Sequence, residues 1–124
     1  MLPVAHRLTT SQDFAAVVRH GSRAGSSSVV VTARLRRRST GPTWRCGFIV
    51  SKAVGNAVVR HRTTRRLRHI VAELMHDKQT MVPEGLGVDF AVRALKDSAT
   101  ADHWQLRADV DSCLRRSLKK APPP

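Results

Sequence analysis

A chain of 124 residues has room for one core and not for a second catalytic domain, since domains of about 100–150 residues are the commonest size. Its 22 Lys and Arg outnumber 9 Asp and Glu, and a formal charge of +13 with a pI near 11.6 points to a polyanion as partner, either nucleic acid or an anionic membrane surface. Hydrophobic residues make up 41%, enough for a core, which excludes a disordered basic tail.

In chain order, MLPVAHRLTTSQDF has no apolar stretch of signal-peptide length, so a cytoplasmic protein is expected. A short amphipathic helix follows over 11–20: Thr10 and Asp13 have capping-box spacing, Phe14, Val17 and Val18 share one side, and Gly21 is a natural stop. SSVVVTARLRR then alternates with period two, placing Val29, Val31, Ala33 and Leu35 on one strand face and Val30, Thr32, Arg34 and Arg36 on the other. RRSTGPT reads as a turn and WRCGFIVSK as a second strand, an arrangement that suggests an antiparallel hairpin.

GNAVVRHRTTRRLRHIVAELM returns to helical rhythm. A wheel puts Thr63, Leu67, Ile70, Val71 and Leu74 in one stripe, with His61, Arg62, Arg65, Arg66, Arg68 and His69 around the remainder and Arg60 near the boundary. MVPEGLG breaks this helix, and VDFAVRAL is a third strand with Val88, Phe90, Val92 and Ala94 on one face. A last helix is predicted over 101–118, capped by Thr100, with Asp102 in its first turn and a stripe of Leu106, Val110, Cys113, Leu114 and Ser117. Arg115, Arg116, Lys119 and Lys120 suit its C-terminal dipole, and APPP cannot continue it. Trp44 and Trp104, at the starts of a strand and a helix, are expected to pack, and Cys46 and Cys113 to be small buried side chains. The order α-β-β-α-β-α gives an α+β protein, a small single-domain α/β sandwich, with 1–118 as one domain and 119–124 as a basic, Pro-rich tail.

The chemistry concentrates between Lys52 and His69, where Lys52, Arg60, Arg62, Arg65, Arg66 and Arg68 meet no acid. A solvated helix surface normally intersperses Glu, because opposite charges at i,i+4 stabilise and like charges cost a similar amount. An uncompensated run is therefore read as a polyanion site. Guanidinium groups fit phosphate oxygens in pairs and stack on exposed bases, which favours RNA over lipid. His61 and His69 lie eight apart, the acids are scattered, and SKAVGNAV lacks the Walker pattern. Neither a catalytic group nor a metal site is expected on the protein, so any catalysis would draw on another molecule.

LPVAHRLTTSQDFAAVVRHG, RCGFIVSKAVGNAVVRHRTTRRLRHI and VDFAVRAL, in that order, resemble the protein subunit of bacterial ribonuclease P over nearly the whole chain. The resemblance implies a ribosomal protein S5 domain 2-like sandwich whose βαβ crossover is left-handed, against the usual rule. It implies a ribonucleoprotein endonuclease that removes the 5′ leader of precursor tRNA, in which the RNA subunit carries the active site and holds the magnesium ions. The protein then binds no cofactor, small-molecule substrate or membrane; its partners are the catalytic RNA and the leader. Carried over by motif position, Lys52, Asn56, Arg60, His61, Arg62, Arg65 and Arg68 would bind the RNA. Phe14 would line a leader-binding cleft with Val18, Thr32 and Arg34.

Some positions depart from the family pattern. His61 replaces an Asn, Thr64 a basic residue whose charge Arg66 is expected to supply, and Arg93 an apolar strand residue. Val18 and Thr32 stand where the family can carry aromatics, and the chain has no Tyr, three Phe and two Trp, so leader binding is expected to lean on Arg and apolar contact. The alternative reading is a structural protein docked on ribosomal RNA, which would use the same arginines; an autonomous nuclease and a peripheral membrane protein are further rivals.

Overall fold

Thr10 begins the first helix as its side chain suggests, with Oγ1 accepting from the Asp13 N–H at 3.1 Å. In the computed structural model, which describes residues 2–38, 41–78 and 81–124, seven main elements follow one another. They are α1 (Ser11–His20), β1 (Ser22–Gly25), β2 (Val29–Arg37), β3 (Trp44–Ile49), α2 (Ala57–Lys78), β4 (Leu86–Ala94) and α3 (His103–Lys120). Ser39 and Thr40 of the predicted RRSTGPT turn lie outside the described residues.

Strand order in the sheet is β1-β2-β4-β3, with β1/β2 and β2/β4 antiparallel and β3/β4 parallel. This corrects two expectations. β2 and β3 form no hairpin, because β4 lies between them; Val88, Phe90, Asp89 and Ala91 are all buried, and a strand covered on both faces belongs inside a sheet. β1 is an additional strand, and Ser22–Gly25 gave no alternating apolar signal because Ala24 is its one buried residue. The two parallel strands β3 and β4 are joined through α2, as the resemblance requires.

Alternation along β2 and β4 divides the core. Val29, Val31, Ala33, Phe90 and Val92 face the main core, where they join Leu67, Ile70, Val71 and Leu74 of α2 and Leu106, Val110 and Leu114 of α3. Both predicted helix stripes are thus buried. On the opposite face α1 packs Val17 against Leu8 and Ala91, with Phe14 at the margin. Gly21 does stop α1, although at φ −86° it makes no left-handed turn. A Cβ there would lie 2.5 Å from the Val17 carbonyl oxygen and 2.7 Å from Thr32 Cγ2, so the requirement is close approach to β2.

α3 starts later than predicted, with Asp102 as its cap: Oδ1 accepts the Gln105 N–H at 2.8 Å. Thr100 instead closes a 3-10 turn over Lys96–Ala99. The helix runs through Lys120, whose carbonyl accepts from Ser22 Oγ at 3.0 Å and whose Nζ donates to the Arg23 carbonyl. Lys119 and Lys120 are therefore the last residues of α3, and Lys120 ties the helix to β1. Trp44 is buried and stacks on His6 at a 4.0 Å centroid separation. Cys46 and Cys113 are buried and free.

Candidate nucleic-acid interface

Asn56 caps α2, its Oδ1 accepting the Val59 N–H at 2.9 Å. Gly55 before it has φ +154°, a conformation side-chain-bearing residues rarely adopt. From this fixed start, burial of Thr63, Leu67, Ile70, Val71 and Leu74 leaves His61, Arg62, Arg65 and His69 exposed, with Lys52 exposed in the preceding loop. Sequence spacing and packing thus produce one cationic helix face.

Part of that face is concave. A cavity of about 690 Å³ is lined by Arg62, Arg65, Arg66, Arg68, His69 and His103. Of the predicted RNA contacts it gathers Arg62, Arg65 and Arg68; Lys52, Asn56, Arg60 and His61 lie outside its lining, toward the start of α2. Arg60 is half-buried, and its Nε is enclosed without a hydrogen-bond partner. Arg66 is occupied differently from the expectation: Nη1 donates to the Ser98 carbonyl at 3.3 Å and Nη2 to that of Ala101 at 2.6 Å. It ties α2 to the start of α3 rather than standing in for a charge at Thr64, whose Oγ1 bonds the Arg60 carbonyl.

Glu73, beside His69 of this lining, is already engaged. Glu73 accepts from Arg107 Nε at 2.8 Å and lies 3.4 Å from His69 Nε2. The Arg107 hydrogen bond holds its carboxyl below the usual glutamate range, against an opposing desolvation.

A second, narrower cleft of about 160 Å³ opens between α1 and β3, lined in part by Arg7, Leu8, Phe14, Gly47, Phe48 and Arg68. Gly47 makes it possible, because a Cβ there would lie 2.1 Å from Phe14 Cζ. Arg68 lines both hollows. The other three predicted cleft residues lie outside this lining. Val18 is 52% exposed on α1, while Thr32 is buried beneath it at 5%. Arg34 borders a different hollow with His20, Arg36, Arg37 and Pro122–Pro124.

Sequence reasoning missed the ion network that locates this cleft. Asp89, 2% exposed in the middle of β4, accepts from Arg45 Nε and Nη2 at 2.9 and 2.7 Å and from Arg36 Nε at 2.9 Å. Arg45 also reaches Asp13 of α1 at 3.3 Å, so the network holds α1 down and fixes where Phe14 lies. Donating two hydrogen bonds to the Asp89 carboxylate raises the Arg45 guanidinium above its ordinary pKa. An Asp inside VDFAV was the available signal, since a buried charge requires partners. Arg93 is exposed on this same face, between Val30 and Ile49, where α1 no longer covers the sheet. Trp104 overturns the packing expectation, being 74% exposed.

The family model for ribonuclease P matches residues 2–118. The chain belongs to the ribonuclease P protein family. It is 45% identical over 120 residues to the ribonuclease P protein component of Kocuria rhizophila, covering 97% of this chain and 98% of that one. To the ribonuclease P protein component of Streptomyces avermitilis it is 46% identical over 126 residues, covering 95% and 96%. The fold is similar to that of the ribonuclease P protein of Staphylococcus aureus, with a TM-score of 0.70 at 22% identity over 90% of this chain and 94% of that one. Against the Thermotoga maritima ribonuclease P protein the TM-score is 0.62 at 24% identity, over 89% and 96%. The ribonuclease P family thus accounts for the sandwich. Among its described residues no helix is long and apolar enough to cross a membrane.

Proposed function

We propose that this chain is the protein subunit of a cytoplasmic ribonuclease P ribonucleoprotein, binding the catalytic RNA through α2 and the 5′ leader of precursor tRNA in the Phe14 cleft. The observation that carries the reading is the acid-free cavity in which Arg62, Arg65 and Arg68 converge on a helix whose other side is locked into the core. Guanidinium groups there neutralise phosphates and release condensed counterions, so affinity for the RNA falls steeply with salt. Lys52, Asn56, Arg60 and His61 extend the contact toward the helix start. In the cleft, Phe14 and Phe48 offer apolar surface to an unpaired leader, with Val18 exposed on the same helix and Arg34 near the sheet edge.

Hydrolysis and its magnesium ions are assigned to the RNA. What supports this is the donor set: among the described residues no group of three His, Cys, Asp or Glu is arranged to hold a metal ion, and the oxygens of buried Asp89 are taken by arginines. The protein contributes by lowering repulsion where two polyanions approach, which is worth most when magnesium is scarce.

The test is cleavage of a leader-bearing precursor tRNA at low magnesium by cognate ribonuclease P RNA, with and without the protein, beside protein alone. Cleavage only in the combined lane is expected. Cleavage by protein alone would overturn the division of labour, and no effect in any lane would leave a structural RNA-binding protein as the better reading.

A further inference from the structure

Trp104 is an anomaly in a chain so poor in aromatics. It stands 74% exposed on the first turn of α3, while Trp44 is 3% exposed in the core. Leaving an indole in water forgoes burial that would stabilise the fold, and its position two residues from Leu106 turns it away from the helix stripe. Its neighbour His103 holds it edge-on, with ring centroids 5.1 Å apart at 78°. His103 is also part of the lining of the arginine cavity. The indole is therefore a preset flat surface at the rim of a hollow whose lining carries no acid.

The platform is held firmly relative to α2. Arg66 bonds the Ser98 and Ala101 carbonyls just ahead of α3, and Glu73 of α2 bonds Arg107 one turn beyond Trp104. A cavity of about 690 Å³ is in the range of pockets that enclose molecules the size of a nucleotide.

We infer that Trp104, braced by His103, stacks an unpaired base of the ribonuclease P RNA whose phosphates lie among Arg62, Arg65 and Arg68. This rests on the proposed RNA-binding role of α2 and extends it to α3. The occupant is the catalytic RNA rather than the leader, because Trp104 and His103 belong to α3, which contributes no residue to the lining of the Phe14 cleft. Arginines supply charge and the indole supplies a sequence-tolerant stack, the combination by which unpaired nucleic acid is held.

The test uses full-length protein and cognate ribonuclease P RNA. Iodide quenching of tryptophan emission in free protein should come almost wholly from Trp104, and saturating RNA should abolish it. Trp104→Ala should weaken RNA affinity about 5- to 150-fold, the range for losing one base stack, while Trp104→Phe retains most of it. An exposed side chain is changed, so thermal unfolding should not move. Unchanged quenching with unchanged affinity of Trp104→Ala overturns the stack while leaving the function of α2 intact. A loss confined to leader-bearing precursor, seen by comparison with leaderless tRNA, overturns the choice of catalytic RNA. Failure of the wild-type protein to bind the RNA overturns the proposed function, and this contact with it.

Discussion

Gly47 shows how one missing side chain can shape a binding surface. Its hydrogen leaves space for the Phe14 ring, and a methyl group there would meet Cζ at 2.1 Å. The obstructing atom is the tip of a half-buried ring that can swing away, so Gly47→Ala should cost little stability and chiefly lift Phe14 into the cleft. We expect thermal unfolding within a few degrees of wild type and a loss of leader-dependent affinity, measured as the difference between leader-bearing and leaderless precursors bound by the holoenzyme. Cys46 makes a residue-scale prediction of another kind. Burial pushes its thiol far above the ordinary value of 9.0, so the folded state keeps a proton that the unfolded state releases. Stability must therefore fall as pH rises through the ordinary thiol range, by at most about 1.4 kcal/mol per pH unit, and Cys46→Ala should remove that portion of the slope in urea titrations.

The elements divide into those legible from sequence and those that needed tertiary information. α1, α2 and α3 were legible because a 3.6-residue period specifies which side is buried, and Leu67, Ile70, Leu106 and Val110 are all fully enclosed. Period two likewise assigned the faces of β2 and β4, but alternation says nothing about which strand lies alongside. Hence the mistaken β2–β3 hairpin, corrected by β4 between them. At the site, the cationic face of α2 was readable from its lack of acids, whereas the concavity that unites Arg62 and Arg65 with His103 depends on how α3 docks. The exposure of Trp104 has a sequence signal of its own: it falls about 200° from Leu106 on the helical wheel, outside the apolar stripe. Because α2 separates its two jobs by face, they can be separated by mutation. Arg62→Glu with Arg65→Glu should leave folding intact, since each new acid gains a basic i+4 neighbour in Arg66 or His69, yet reduce RNA affinity by an order of magnitude or more and flatten its salt dependence. Leu67→Ala, in the fully buried stripe, should instead cost about 2–5 kcal/mol of stability. Chemical denaturation beside filter binding distinguishes the two outcomes, and RNA binding unaffected by the double reversal would remove α2 from the interface.

At the scale of the molecule, the sheet carries α1 on one face and α3 on the other, the narrow cleft opens beside α1 at the β3 edge, and α2 borders both hollows. The net charge of +13 draws any RNA toward the whole surface, but only the contours decide where each strand settles. Arg68 stands at the meeting point, lining the arginine cavity and the Phe14 cleft alike. A single guanidinium offers one planar set of donors, so a phosphate engaged on one side alters what the other side receives. Occupancy of the two hollows is then thermodynamically linked: whatever factor the catalytic RNA applies to leader affinity, the leader must apply to the affinity for catalytic RNA. Arg68→Gln should draw that shared factor toward one, and measuring it in both directions would show whether this side chain is the hinge of a reciprocal assembly.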